Sequence, residues 1–223
     1  MSGAPVVRLA RAYLRHRYAF LFYSLLLTLV LRPVVSWVSP DVELTEPFVM
    51  LNLLLAALSL PRGRIVFTVL ALALIAVRLA PSWGLERGTS TPVFVVWSVI
   101  GAFAVFAAVR FSLRSTEVDT EHVYAALSAY LLAGFLFGLL DWALEDAMPG
   151  SLVVAGSEGA GRVPLSTAMY FSFTTLSTLG FGDILPRTEM ARGIAMVEAV
   201  AGQLYLAVMI ARLVGLHAQR QKR

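Results

Sequence analysis

Long runs of apolar residues, separated by short polar stretches, dominate the pattern along the chain. A helix needs about 20 such residues to cross the core of a bilayer, and the fourth, fifth and sixth runs approach that length while the second and third are shorter. The six segments are Tyr18–Val38 (interrupted by Arg32), Pro47–Leu60, Ile65–Ala80, Pro92–Val109, Val123–Leu144 and Ala191–Leu216. The pattern predicts an all-α membrane protein with six transmembrane helices.

The composition supports a membrane protein and excludes several other classes. Hydrophobic residues make up 58% of the 223 residues and charged residues only 14%, with a mean hydropathy of +0.77, which is too apolar for an ordinary soluble domain. Cysteine is absent, so disulfides and thiolate chemistry are excluded. No His/Glu metal-ligand pattern and no activated serine are visible, so we expect neither an enzyme nor a cofactor.

The positions of the basic residues predict the orientation in the membrane. Twelve lie in the amino-terminal tail, after the second and fourth segments, and in the carboxy-terminal tail, whereas the opposite side holds six against ten acids. The positive-inside rule therefore places both termini in the cytoplasm. These residues cluster at segment ends instead of alternating with aromatics, so a nucleic-acid partner is not expected. Almost all are arginine, which is typical of a GC-rich bacterial genome, and we expect a multi-pass protein of the bacterial inner membrane.

A signal peptide over residues 1–31 is an alternative interpretation of the amino-terminal segment. A basic stretch followed by the uncharged residues 18–31 fits that pattern. No clear small-x-small cleavage site follows, so we favour a retained transmembrane helix.

Residues 174–183, TTLSTLGFGD, lie between the fifth and sixth apolar segments. Before them, Leu165–Ser177 has the length and composition of a short helix, which Gly180 and Gly182 bring to an end. Thirteen residues cannot cross a membrane and return, so the segment is predicted to enter as a half-helix and leave as irregular backbone. Such backbone is tolerated at membrane depth only where it is buried in protein or lines a water-filled passage.

Glycine at alternate positions permits successive residues to adopt dihedral angles of opposite hand. Consecutive carbonyl oxygens then point to the same side of the chain, and rows from several chains can replace the hydration shell of a cation. Because one chain offers only one row, this chemistry requires an oligomer around a central axis.

The run from Tyr170 to Asp183, YFSFTTLSTLGFGD, resembles the pore helix and selectivity filter of the potassium channel family. The familiar filter is Thr-Val-Gly-Tyr-Gly-Asp with a second threonine three residues earlier, and Thr175 and Thr178 keep that spacing. The resemblance extends over Val123–Leu216. It implies a homotetramer in membrane lipid, with a re-entrant pore helix and filter between helices five and six.

By the same resemblance, the potassium ions would be held by the filter residues. The predicted ligands are the backbone oxygens of Thr178, Leu179, Gly180 and Phe181, with the Thr178 hydroxyl, and Gly182 completes the filter. Leu179 and Phe181 depart from the familiar valine and tyrosine. The missing phenol leaves fewer braces, and such a filter is expected to inactivate or to admit sodium more readily.

Three acidic positions are predicted near the outer end of the pore. Asp183 is predicted at the external mouth, where a carboxylate concentrates cations and hydrogen-bonds behind the filter. Asp141 and Glu145 are predicted to be exposed caps or loop anchors.

The last helix is expected to line a cavity below the filter. Gly202 stands at the family's gating-hinge position, and Gln203 would face the cavity together with Leu206 and Ile210. Helical geometry turns Glu198 about 140° away from that face, towards the pore helix or helix five. We interpret Glu198 as a buried structural acid, with proton sensing as the alternative. Gln203 has an alternative role as a hydrogen-bonding contact between helices.

The first four helices, residues 1–116, are predicted to form a bundle that resembles a voltage sensor but lacks gating charges, since residues 93–109 carry no charge. Residues 117–223 form the predicted pore domain. The predicted function is a passive, potassium-selective channel that is not steeply voltage-gated. The alternatives are a weakly selective cation channel of the same architecture and a non-conducting membrane scaffold that retains the pore fold.

Overall fold

The computed structural model describes residues 16–38, 45–58, 91–114, 120–156 and 162–221. Within these ranges the chain is mainly helical. The elements, in chain order, are α1 (Arg17–Val38), α2 (Thr45–Leu58), α3 (Thr91–Arg114), α4 (Thr120–Ala147), β1 (Leu152–Val154), α5 (Leu165–Leu176), β2 (Ile184–Pro186) and α6 (Glu189–Gln221).

Five of the six predicted apolar segments coincide with described helices, namely α1, α2, α3, α4 and α6. The third, Ile65–Ala80, lies outside the described residues. Among the described helices, α4 and the Glu189–Arg212 part of α6 are long and apolar enough to cross a membrane, while Arg17–Leu31 and Pro47–Ala56 are shorter apolar helical stretches. A full set of six spans therefore stays a prediction.

The described residues fall into two compact units. The first contains residues 16–38, 45–58, 104–114 and 120–131, and the second contains residues 91–103, 132–156 and 162–221. The predicted boundary between residues 116 and 117 lies outside the described residues, so the division into a bundle and a pore domain stays a prediction.

In the first unit, polar groups join helices that are otherwise apolar. The Asn52 amide on α2 donates to the Thr28 hydroxyl on α1 over 2.5 Å, and both side chains are buried. At the start of α1, the backbone N–H of Tyr18 donates to the Glu121 carboxylate of α4 over 3.2 Å. This carboxylate satisfies one of the amides that the first turn of any helix leaves unpaired.

In the second unit, α5 packs closely against α4. A Cβ added at Gly134 would lie 2.6 Å from the ring of Phe173, and one added at Gly138 would lie 2.6 Å from the sulfur of Met169, so both would overlap their neighbours. The two glycines are four residues apart and therefore share one face of α4. This face lets the short helix approach α4 closely.

A two-stranded antiparallel sheet ties the segment before α5 to the segment after the filter. Leu152 pairs with Pro186 and Val154 with Ile184. The apolar side chains of this region share a small core made of Leu152, Val163, Ala168, Phe171 and Ile184. The sheet therefore fixes both ends of the segment that contains α5 and the filter.

The prediction that Asp141 and Glu145 are exposed is wrong. Asp141 is 0% exposed and Glu145 is 2% exposed. The Glu145 carboxylate accepts backbone hydrogen bonds from Gly150 (3.0 Å) and Leu152 (2.9 Å), so it does anchor the following turn. Exposure was expected because both acids stand at the outer end of an apolar run, and no local pattern marks the turn that bonds to Glu145.

Candidate functional site

The backbone after α5 is left-handed at three alternate positions. Thr178, Gly180 and Gly182 have φ angles of 58°, 49° and 79°. The two glycines predict left-handed dihedral angles at their own positions, whereas the sequence does not predict one at Thr178. A left-handed conformation costs a residue with a side chain about 1–2 kcal/mol, so surrounding contacts must hold Thr178 in place.

The amide groups of this segment point back to the carboxyl end of α5. The Thr178 N–H donates to the Thr175 carbonyl over 2.9 Å, and the N–H groups of Leu179 and Gly180 donate to the Thr174 carbonyl over 2.8 and 3.1 Å. These bonds satisfy carbonyls that a helix end leaves unpaired. Among the described residues, none donates a hydrogen bond to the carbonyl oxygens of residues 178–181, so these oxygens remain available to a ligand.

The segment from residue 177 to residue 183 is exposed along its whole length in the single chain. The Leu179 and Phe181 side chains are 58% and 65% exposed although both are large and apolar. One chain therefore presents a row of backbone oxygens and two uncovered apolar side chains. These apolar groups would be buried only against another surface.

Tyr170 on α5 supports the outer end of this segment. Its ring stacks parallel to the Phe181 ring with 6.4 Å between centroids, and its hydroxyl interacts with the Asp183 carboxylate. A tyrosine hydroxyl is protonated at neutral pH, so the phenol is the group that can donate to the Asp183 carboxylate. A phenol is thus present beside the filter, on α5 instead of at residue 181.

Glu198 lies on the face of α6 that contacts α5. The sequence predicted that it would point either to the pore helix or to helix five, and α5 stands at the position of the predicted pore helix. It is 0% exposed, and its Oε1 accepts a hydrogen bond from the Ser172 hydroxyl over 2.5 Å. The Ser172 hydroxyl also lies 2.7 Å from the Gly134 carbonyl of α4. A single serine therefore connects α5 to both neighbouring helices.

The middle of α6 contacts the inner end of the filter segment. Gly202 is buried where α6 crosses Leu176, the last residue of α5. A side chain at this position would overlap the Leu176 carbonyl oxygen. The next residue, Gln203, donates from Nε2 to the Thr178 hydroxyl over 3.1 Å. Leu206 and Ile210 are exposed further along α6.

Two supporting side chains, Tyr170 and Ser172, and one supporting backbone carbonyl, that of Thr174, were missed in the sequence. Tyr170 contacts residues 11 and 13 positions later in the chain, and Ser172 contacts residues on two other helices. Such contacts leave no periodic pattern. A polar residue on the buried face of a short apolar helix is the one signal that was available, because buried hydroxyls need partners.

Comparisons with known proteins identify the region that contains this site. A family model described as "Ion channel" matches residues 125–217. Two pore potassium channel c of Oryza sativa subsp. japonica is 29% identical over 93 residues, which cover 42% of this chain and 18% of that protein. The match thus spans less than a fifth of the length of that relative, and no solved structure matches the chain. Residues 125–217 are therefore similar to an ion-channel region, and this region contains the motif that resembles the potassium channel filter.

Proposed function

We propose that four copies of the chain assemble around a central axis into a passive, potassium-selective channel. The observation that carries the proposal is the alternation of left-handed φ angles at Thr178, Gly180 and Gly182, together with the unpaired carbonyl oxygens of residues 178–181. Four such rows would surround a dehydrated cation with oxygen ligands. The family match of residues 125–217 supports the same function.

The exposed apolar side chains at the filter support assembly into an oligomer. Leu179 and Phe181 are uncovered in the single chain, and neighbouring copies would bury them while bringing the oxygen rows together. In this proposal Asp183 lies at the outer mouth, six spans cross the membrane and both termini are cytoplasmic.

Low voltage dependence is part of the proposal. The α3 helix carries charge only at its end, at Arg110 and Arg114, and residues 93–109 have none. Each charge that moves through the full field contributes about 2.3 kcal/mol per 100 mV. A helix without such charges contributes no comparable work to channel opening when the membrane potential changes.

The decisive experiment is the reversal potential of purified protein in planar bilayers under opposing potassium and sodium gradients. A potential near the potassium equilibrium value supports the proposal, and one near zero indicates a weakly selective cation channel. Absence of single-channel current would favour the non-conducting scaffold.

Gly180→Ala serves as the matched variant: the added methyl meets no atom within 4 Å in the single chain, so the strain comes from the φ angle of 49°. If Gly180→Ala conducts with unchanged selectivity, the filter assignment is wrong.

A further inference from the structure

Gln203 joins the inner helix to the inner end of the filter. Its Nε2 donates to the Thr178 hydroxyl over 3.1 Å, across 25 positions of sequence. Both residues are exposed in the single chain. Since Thr178 holds a left-handed φ angle despite its side chain, this bond is one of the contacts that stabilise the conformation.

The oxygen of the same amide remains without a protein partner. A glutamine side chain has two N–H donors on nitrogen and two lone pairs on oxygen. With the nitrogen directed at Thr178, the Oε1 of Gln203 accepts no hydrogen bond from the described residues. A polar group at this depth of a membrane helix is costly unless it is paired or hydrated, so Oε1 needs water or a cation.

The surroundings distinguish Gln203 from its neighbours on α6. Leu204, Leu206 and Ile210 are exposed and apolar, so they offer no ligand to an ion. A contact between helices, the alternative role for glutamine, would use the amide on another helix. The observed partner of the nitrogen is instead the filter residue of the same chain.

We propose that Gln203 completes a cation site at the inner end of the filter, in which Gln203 Oε1 and Thr178 Oγ1 from each chain ligate a partly hydrated monovalent cation. The Thr178 hydroxyl has two lone pairs, and the bond from Gln203 occupies one of them, so the second is free for the ion. The inference rests on the proposed tetramer, because one chain supplies a single amide oxygen. The ligand of this site is a hard cation, which neutral oxygen atoms bind.

The site is tested by single-channel currents in patches of known orientation, with the potassium concentration varied on the face opposite Asp183. Gln203→Leu removes both the donor and the oxygen, whereas Gln203→Glu keeps the oxygens, adds charge and loses the donor. We expect Gln203→Leu to raise the half-saturating concentration about threefold or more, the change that loss of one hydrogen-bond-sized interaction gives. Gln203→Glu should lower it, because acidic rings attract cations.

The control variant is Val208→Ala, which is exposed on α6 and lies about 140° around the helix from Gln203; its half-saturating concentration should match that of the wild type. The proposal is overturned if Gln203→Leu also matches the wild type. It is equally overturned if Gln203→Glu is as impaired as Gln203→Leu, since the donated bond to Thr178 would then be the whole role of Gln203.

A second measurement does not depend on the folding of a variant. Wild-type crystals grown with rubidium should show an anomalous peak in contact with Gln203 Oε1, below the filter. Ions in the filter with none at Gln203 would refute this site and leave the proposed channel function standing. An ion-free filter together with absence of current would refute the channel function and this site with it.

Discussion

Replacing Gly202 with alanine is expected to destabilise the folded protein, because α6 leaves no room for a methyl group there. The new Cβ would overlap the Leu176 carbonyl oxygen and lie 3.0 Å from Leu176 Cδ1 and 3.2 Å from the carbonyl carbon. Two of these three atoms are backbone and cannot rotate away. Leu176 ends α5, so any displacement is passed to the filter two residues later.

The size of the effect follows from two opposing contributions. Alanine is favoured over glycine inside a helix by roughly 0.5–1 kcal/mol, whereas overpacking a well-packed site costs about 1–3 kcal/mol. The net loss is on the order of 1 kcal/mol. For a chain of this size, each kcal/mol shifts the melting temperature by about 2–4 °C.

The assay is thermal unfolding of the detergent-purified protein, with Gly193→Ala as the matched control. Gly193 lies in the same helix, and a Cβ there meets nothing within 4 Å, so Gly193→Ala should raise the melting temperature slightly. If Gly202→Ala raises it as much as the control, the close-packing argument is refuted. A role as a gating hinge alone predicts altered opening with an unchanged melting temperature, so the measurement also separates these two explanations for the glycine.

Three further outcomes are expected. Ser172→Ala removes the donor to the buried Glu198 carboxyl, which should cost about 1–3 kcal/mol and lower the melting temperature. Tyr170→Phe removes the hydroxyl that interacts with Asp183; current should decline faster during sustained opening in macroscopic recordings, while size-exclusion chromatography shows unchanged assembly. The conductance–voltage curve should be shallow because residues 93–109 carry no charge, and steepness equivalent to several gating charges would contradict that argument.

Five of the six apolar segments were predictable as helices from the sequence, because an apolar run of that length is typical of a membrane helix. The predicted Leu165–Ser177 helix differs from α5 by a single residue, since glycines two apart end a helix by a local effect. The left-handed angles at Gly180 and Gly182 were predictable for the same reason. These features depend on residues that are neighbours in the chain.

Other features depend on contacts between distant residues, and the sequence did not reveal them. Thr178 adopts a left-handed angle although threonine disfavours it, because amide bonds to α5 and the Gln203 side chain hold it there. The pairing of β1 with β2 joins two three-residue segments that are too short to show an alternating pattern. The burial of Glu145 likewise depends on the turn after α4, whose Gly150 and Leu152 N–H groups bond to its carboxylate.

The small sheet forms one mechanical connection between the start of α6 and the outer end of the filter. A force on the start of α6 acts on residues 187–189, where the Arg187 N–H is bonded to the Ser151 carbonyl over 2.8 Å and the Thr188 and Ser151 hydroxyls are 3.3 Å apart. From there the load passes through the β1–β2 ladder into the turn that Glu145 holds at the end of α4. A displacement of α6 therefore reaches the segment between the two strands by this path at its outer end, and through the contacts of Gly202 with Leu176 and of Gln203 with Thr178 at its inner end.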